Sequence, residues 1–256
     1  MSVNLSSTSQ ETLHYAGYTD DLLRVEENGS KLPIAQNHFL LRHILQTVNA
    51  QSCPGSYNFH MHTVKSDGKL QPSEIIEQAL AIGLSGLAIT DHHTTKGYHE
   101  AQKCLDSWKA SQSENNTKAP ILWTGIEINA KLLNTEVHIL GYAFDPTASC
   151  LKPYLRHQVV TGSDYQAQNV IAAIQKAGGL AVLAHPARYR RAAHQLIPEA
   201  ARLGIDGVEV YYNYRATDPW LPTPETTEEV ETLSQTYGLI KTCGTDTHGT
   251  NLLLRR

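Results

Sequence analysis

Short β-rich runs alternate with longer stretches of helical periodicity between residues 57 and 244, and this alternation constrains the fold more than any other feature of the chain. Strands that alternate with helices are typical of an α/β domain built on a parallel sheet. The pattern therefore predicts an α/β fold. The candidate strands are residues 57–62, 85–90, 120–128, 136–142, 180–184, 206–211 and 239–244.

Apolar residues at helical spacing predict helices between these runs. The clearest covers residues 72–82, where Pro72 suits the first turn and Gly83 can end the helix. A second covers residues 164–177, with Ser163 or Asp164 as its cap. Weaker patterns predict helices over 96–111, 193–203 and 224–237, and polar or proline-rich segments predict surface loops over 112–119 and 213–224.

Residues 1–56 lie outside the alternating pattern. The first 32 or so are rich in Ser, Thr, Asn and Glu, whereas the apolar residues between positions 39 and 48 indicate a helix. We therefore expect two parts: a partly helical N-terminal extension, residues 1–56, and a main domain, residues 57–256.

Composition excludes several classes of function. The 21 Lys and Arg residues against 25 Asp and Glu give a formal net charge of −4, which disfavours stable binding to nucleic acid along an extended surface. No apolar run reaches the roughly 20 residues that span a bilayer, and the first twenty residues lack the features of an export signal. The four cysteines form no CxxC pair. These features predict a cytoplasmic protein with reduced thiols and no membrane partner.

The 13 histidines are the unusual part of the composition. His60 and His62 share one face of the first predicted strand, because strand side chains alternate, and Asp67 follows in the loop. In a (β/α) barrel the C-terminal ends of the strands converge on one face, so polar groups at those ends are expected to form one pocket. The groups at or near later strand ends are His92, Glu127, His138, His185, Asp246 and His248.

This mixture of imidazoles and carboxylates, without thiolates, suits Mn²⁺, Zn²⁺ or Fe²⁺ better than Ca²⁺ or Mg²⁺ alone, and Mg²⁺ stays an option. A carboxylate such as that of Glu127 can bridge two ions. Several acidic groups at close range would repel one another without cations. The set is therefore expected to hold more than one metal ion.

In chain order the motifs are HxHx4D, TDH, GxE, a later His, AHP and DxH, and this ordered set resembles the polymerase and histidinol phosphatase (PHP) family over about residues 57–249. The resemblance implies a distorted (β/α)7 barrel with two to three divalent metal ions per chain. It also implies three sets of ligands: His60, His62, Glu127 and Asp246; Glu127, His138 and His185; and Asp67, His92 and His248.

Residues 185–189, HPARY, further resemble the branch of the family that acts on nucleoside 3′,5′-bisphosphates and short oligonucleotides. Arg188 and Tyr189 are then expected to bind substrate, and Glu127, Arg188 and His93 to take part in catalysis. A hydroxide that bridges two metals would attack phosphorus, while Arg188 and the third metal stabilise the growing charge. Two donors of the leaving-group proton stay open, His93 and a metal-bound water. His93 itself departs from the family, in which Asp or Asn often follows TDH.

The leading hypothesis is therefore metal-dependent hydrolysis of a small phosphorylated substrate, such as a nucleotide or a short oligonucleotide. The alternatives are a histidinol-phosphate-type phosphatase and a non-catalytic metal-binding regulatory module. Asp91 is expected to orient an imidazole or close a turn, and Glu209 is open to either a structural or a functional interpretation. The remaining histidines and Cys243 are expected to be structural, and the oligomeric state is left open.

Overall fold

The computed structural model describes residues 26–27, 30–112 and 118–256. Its first elements are a short antiparallel pair, β1 (Glu26–Glu27) and β2 (Ser30–Lys31), and helix α1 (His38–Thr47), which matches the helix expected between positions 39 and 48. Most of the polar stretch over residues 1–32 and the centre of the loop over 112–119 lie outside the described residues.

Strands and helices alternate through most of the remaining described chain, which confirms the α/β class. The strands are β3 (Tyr57–Asn58), β4 (Gly86–Ala88), β5 (Ile121–Trp123), β6 (Gly125–Leu132), β7 (Thr135–Tyr142), β8 (Leu180–Leu183), β9 (Gly207–Tyr211) and β10 (Ile240–Cys243). The helices are α2 (Pro72–Ile82), α3 (Lys96–Ser111), α4 (Ala167–Lys176), α5 (Ala193–Arg202) and α6 (Pro224–Thr236).

Helix boundaries follow the local signals except at the start of α4. Helix α2 begins at Pro72 and ends at Gly83, whose φ of 82° is the left-handed conformation that glycine adopts easily. Helix α4 begins later than predicted, and its first turn has no side-chain cap from Ser163 or Asp164. The reason is a turn before the helix, in which the N–H of Gln166 donates to the carbonyl oxygen of Ser163 (3.0 Å).

The strands form two sheets of different character. Strands β3, β4 and β5 are parallel, and the second sheet has the order β10-β9-β8-β7-β6. Strands β8, β9 and β10 are parallel as predicted, but β7 is antiparallel to both of its neighbours, so the prediction of a parallel sheet was wrong there. Leu133 and Asn134, both with positive φ, are the only residues between β6 and β7. A two-residue hairpin makes its strands antiparallel.

The predicted strand over residues 120–128 is divided at Thr124. The N–H of Thr124 donates to the carbonyl oxygen of Ala35 (3.0 Å), and the hydroxyl of Thr124 donates to the carbonyl oxygen of Phe144 (2.8 Å). Strand β5 consequently pairs with β4, whereas β6 pairs with β7. Thr124 therefore marks the point where the chain passes from one sheet to the other.

Backbone hydrogen bonds join the edges of the two sheets near the polar motifs. Beyond the end of β10, the N–H of Asp246 donates to the carbonyl oxygen of His60 (2.8 Å). Beside β6, the N–H of His93 donates to the carbonyl oxygen of Glu127 (3.0 Å). Segments that are far apart in the sequence therefore lie next to one another where the motif residues occur.

Two apolar cores support this arrangement. The larger contains residues of β6 to β10 together with α1, α4 and α5, and the smaller contains residues of α2, α3 and the first sheet. Helix α1 contributes Leu40 and Leu41, both almost fully buried, to the larger core. Across the described ranges, no helix is both long and apolar enough to cross a membrane. The cytoplasmic location stays a prediction.

Candidate metal centre

Glu127 on β6 lies at the centre of the site and is only 1% exposed. Its Oε2 atom lies 3.1 Å from Nε2 of His60 and 3.0 Å from Nε2 of His62. Its Oε1 atom lies 2.7 Å from Nδ1 of His138 and 3.4 Å from Nε2 of His185. One buried carboxylate thus faces imidazoles from three separate segments of the chain, which is the geometry that a bridging ligand requires.

Asp246 provides a second buried carboxylate. Its Oδ1 atom lies 3.4 Å from Nε2 of His60 and 3.3 Å from Nε2 of His62, so both imidazoles stand between Asp246 and Glu127. Its Oδ2 atom points away from them and accepts a hydrogen bond from Nη1 of Arg188 (2.8 Å). The two oxygens of Asp246 therefore serve two neighbouring sets of groups.

A third set lies on the more exposed side of the site. Asp67 has a half-exposed side chain, and its Oδ2 atom lies 3.2 Å from Nε2 of His248 and 3.8 Å from Nε2 of His92. Its Oδ1 atom lies 3.5 Å from Nδ1 of His62. His62 consequently faces the buried carboxylates with one ring nitrogen and Asp67 with the other.

The donor atoms form three groups, in each of which all atoms lie within 4.8 Å of one another. The groups are His60, His62, Glu127 and Asp246; His62, Asp67, His92 and His248; and His92, Glu127 and His138. The first has the same members as a ligand set implied by the resemblance. The second group contains the implied set Asp67, His92 and His248 together with His62. The third group contains Glu127 and His138 of the remaining implied set, but has His92 in place of His185.

The hydrogen bonding of the imidazoles fits metal ligation. Both ring nitrogens of His62, Nδ1 of His92 and Nδ1 of His185 are buried without a hydrogen-bond partner in the described part of the chain. Buried polar atoms normally have a partner. The two ring nitrogens of His62 also lie next to carboxylate oxygens, which makes them suitable donors to divalent cations.

The electrostatics of the cluster also favour cations. Burial would lower the pKa of His62, but the nearby Asp246 and Glu127 carboxylates raise it to about 9. Burial lowers the pKa of His92 to about 4, against the attraction of Glu127. Burial would raise the pKa of Glu127, but the surrounding imidazoles, His60 first, hold it well below its usual range. Without cations the ionised carboxylates are balanced by protonated imidazoles, whose protons a cation would displace.

Three of the predicted site residues have positive φ values: 53° at His93, 25° at His185 and 54° at Asp246. Residues other than glycine rarely adopt this conformation, which costs on the order of 1–3 kcal/mol each and clusters at functional sites. His185 follows β8 and Asp246 follows β10. The strained backbone occurs where the chain leaves the sheet and enters the site.

Two further carboxylates hold the segments of the site in place. Glu209 on β9 is fully buried, with Oε1 at 2.9 Å from Nδ1 of His60, and its Oε2 accepts a hydrogen bond from the N–H of His185 (2.8 Å). Asp91 accepts hydrogen bonds from the N–H and the hydroxyl of Thr63, both at 2.7 Å. Asp91 therefore ties the loop after β3 to the segment after β4, whereas Glu209 orients a candidate ligand.

A cavity of about 360 Å³ opens above these groups. Arg188, predicted to bind substrate, lines it, and Nη1 of Arg188 donates to the hydroxyl of Tyr212 (3.0 Å) as well as to Asp246. Sequence reasoning missed Arg255 and Arg256, which line the same cavity. The available signal was the pair of adjacent arginines shortly after the DxH motif.

Four of the predicted site residues do not line this cavity: the buried His60 and His62, and also Tyr189 and His93. The hydroxyl of Tyr189 accepts from the N–H of His138 (2.7 Å) and donates to the carbonyl oxygen of Ala184 (3.2 Å), so backbone groups occupy it. This geometry favours a positioning role for Tyr189 over direct contact with substrate. Nε2 of His93 lies 3.1 Å from Oδ1 of Asn129, and His93 lines an adjoining cavity.

The model of the PHP domain family matches residues 58–244. The chain belongs to the PHP family. This PHP-domain protein is 33% identical over 102 residues to a 5′-3′ exoribonuclease of Haemophilus influenzae, a match that covers 40% of the chain and 34% of that relative. It is 31% identical over 121 residues to a 3′,5′-nucleoside bisphosphate phosphatase of Chromobacterium violaceum, a match that covers 47% of the chain and 39% of that relative. Each match thus spans less than half of the relative's length.

The fold of this PHP-domain protein is similar to that of a proposed metal-dependent phosphoesterase from Bifidobacterium adolescentis. The two structures superpose with a TM-score of 0.61 and 24% sequence identity, over 77% of this chain and 89% of the other. At this level of identity the similarity shows the fold alone. It supports the α/β architecture obtained from the strand pairing.

Proposed function

We propose that this PHP-domain protein is a hydrolase that cleaves phosphoric esters with two to three divalent cations, of which Mn²⁺, Zn²⁺ and Fe²⁺ suit the donors best and Mg²⁺ is compatible. The observation that carries the proposal is that seven of the nine proposed donor residues and Arg188 line one cavity of about 360 Å³. Cations beside a guanidinium are a suitable surrounding for a phosphate group. The scaffold would be a distorted (β/α)7 barrel of residues 57–256, preceded by the extension of residues 1–56.

The residues fit three metal positions that share a wall of the cavity. Divalent cations there would lower the pKa of water and so supply hydroxide as the nucleophile near neutral pH. Glu127 would bridge the first two positions, because both of its oxygens face imidazoles. The proposed ligands are His60, His62, Glu127 and Asp246 for the first cation; Glu127, His138 and His185 for the second; and Asp67, His92 and His248 for the third.

Arg188 would bind the phosphate that is cleaved. Its Nη1 atom is held by Asp246 and Tyr212, so the guanidinium has a fixed position before substrate arrives. The remaining N–H groups can donate to the phosphate oxygens, on which negative charge grows during the reaction. Prior fixation lowers the entropy cost of that contact.

The leaving group would lie towards the adjoining cavity of about 480 Å³, which is lined by His93 and Asn129 and shares Asp67, His92 and His138 with the candidate metal centre. Nε2 of His93 accepts a hydrogen bond from the N–H of Asn129 (3.3 Å), which fixes the ring. His93 and a water molecule are the two candidate donors of the proton that the departing oxygen needs. Replacement of His93 by glutamine distinguishes them, since only the first predicts a large loss of turnover.

A nucleotide or a short oligonucleotide is the proposed substrate class. It is supported by the relative from Chromobacterium violaceum, a 3′,5′-nucleoside bisphosphate phosphatase, and by the exoribonuclease from Haemophilus influenzae. The formal net charge of −4 argues for a small substrate rather than stable binding to a long nucleic acid.

The test is phosphate or nucleotide release by EDTA-treated protein reloaded with Mn²⁺, from adenosine 3′,5′-bisphosphate, a dinucleotide and histidinol phosphate. We expect release from the first two and loss of it in His62→Ala, with activity retained in the control His194→Ala, whose side chain is 63% exposed. Preference for histidinol phosphate would favour the alternative phosphatase. Metal binding without hydrolysis of any ester would favour the regulatory module.

A further inference from the structure

The segment that follows the DxH motif folds back onto the site. Leu252 is fully buried in the smaller core, and its N–H donates to Oε1 of Gln78 on α2 (2.9 Å). The N–H of His248 donates to the carbonyl oxygen of Arg255 (2.8 Å). The backbone around Arg255 is therefore held in place by the buried Leu252 and by the hydrogen bond with the candidate ligand His248.

The side chain of Arg255 is fixed beside that of Arg188. Its Nε atom donates to Oδ2 of Asp246 (2.9 Å), the same oxygen that accepts from Nη1 of Arg188 (2.8 Å), and the Arg255 side chain is 15% exposed. A guanidinium carries five N–H donors, and the contacts with Asp246 and Tyr212 use a minority of them. Two neighbouring guanidinium groups thus keep donors for a ligand in the cavity.

The guanidinium groups around the cavity lose their counter-charges when the carboxylates there bind cations. Its lining includes three carboxylates and three guanidinium groups, and the carboxylates are the groups to which we assign cations. With those carboxylates neutralised, the guanidinium charges have no counter-ion in the wall, and one phosphate at the cations does not neutralise them all. The charged lining residues are Asp67, Glu127, Asp246, Arg188, Arg255 and Arg256.

We propose that Arg255 is a substrate-binding residue that holds a second phosphate group of the substrate, one that is not cleaved, and so favours esters with two phosphate groups over monophosphates. The proposal rests on the proposed function. Arg188 binds the phosphate that is cleaved, and Arg255 binds the other phosphate at the wall that it shares with Arg256. A purely structural Arg255 would act through Asp246 instead, and would therefore affect metal affinity and all substrates alike.

The test compares Arg255→Gln with Arg255→Lys and with Arg202→Gln, a control whose side chain on α5 is 67% exposed. The substrates are adenosine 3′,5′-bisphosphate and the two adenosine monophosphates, all with Mn²⁺. In Arg255→Gln we expect KM for the bisphosphate to rise by about tenfold or more, the loss typical of one charged hydrogen bond, with kcat and the KM values of the monophosphates nearly unchanged. Arg255→Lys should recover part of the loss, and Arg202→Gln should match the wild type.

Mn²⁺ affinity, measured by calorimetry, separates the two roles. Equal losses for all three substrates, or a weaker Mn²⁺ affinity in Arg255→Gln, would overturn the proposal in favour of a positioning role. If the wild-type protein hydrolyses none of the esters, the proposed function fails. Calorimetric binding of the same esters then decides the role of Arg255, because selective weakening of the bisphosphate supports the proposal and uniform binding overturns it.

Discussion

Replacement of Glu209 by glutamine tests whether a buried carboxylate behind the site controls its affinity for metal. Glu209 makes two contacts, at 2.9 Å with Nδ1 of His60 and at 2.8 Å with the N–H of His185. Glutamine has nearly the same shape and keeps one acceptor oxygen. The variant therefore loses the negative charge, and one contact becomes a weaker or reversed hydrogen bond.

The expected magnitude follows from these contacts. A hydrogen bond to a charged group contributes about 1.5–3 kcal/mol, and replacing a residue that orients a metal ligand typically costs about 10–100-fold in metal affinity or activity. The Glu209 carboxylate is also the nearest of the negative charges that raise the pKa of His60 against its burial. We therefore expect Mn²⁺ to bind Glu209→Gln about 10–100-fold more weakly, because His60 is less well oriented and is a poorer electron donor.

Isothermal titration calorimetry of EDTA-treated protein with Mn²⁺ measures this effect, and circular dichroism checks that the fold is retained. The matched control is Glu77→Gln, a carboxylate exposed on α2. An affinity in Glu209→Gln within twofold of the wild type would refute the assignment of Glu209 as a residue that orients a ligand.

Two further changes test other parts of the account. The pKa of His62 is about 9 in the folded protein, above its ordinary value of 6.5. Its protonated form should therefore stabilise the metal-free protein fully below about pH 6.5, and this contribution should disappear as the pH rises through 9. Urea unfolding at a series of pH values should show the decline, and a rise in the free energy of unfolding over that range would contradict it. In Gly244→Ala the new Cβ would meet the backbone N of His60 at 2.7 Å, so unfolding should be easier by about 1–3 kcal/mol, whereas Gly55→Ala, with no atom within 4 Å of its Cβ, should change little. Equal free energies of unfolding of the two alanine variants would show that the close approach of Gly244 to His60 does not limit stability.

Much of the site could be predicted because strand ends bring side chains to one edge of a sheet. His60, Glu127 and Asp246 follow or lie within β-rich runs, and the structure places their side chains within hydrogen-bonding distance or slightly beyond. Helices α2 and α3 were also predictable, because proline, glycine and apolar spacing mark local boundaries. The direction of β7 was misjudged because the predicted strand ended at residue 128, four residues before the end of β6, so the two-residue connection at Leu133 and Asn134 was not recognised.

Glu209 and Arg255 show what local patterns do not contain. Glu209 faces inward from a buried strand, and its importance comes from its contact with His60. The segment of His60 belongs to the other sheet and lies beside β10, the strand next to β9. Arg255 enters the cavity because Leu252 anchors its segment in a core formed by α2 and α3. Both depend on tertiary contacts between distant segments, which neither spacing nor residue type reveals.

The central claim is that distant segments of this chain together hold a cluster of divalent cations. The most direct measurement is a crystal structure of Mn²⁺-soaked protein with anomalous difference maps. We predict two or three peaks, one of them about 2.0–2.3 Å from donors of His60, His62, Glu127 and Asp246, with Glu127 shared between two ions. Maps without a peak among these four residues, at a Mn²⁺ concentration that supports catalysis, would contradict the claim.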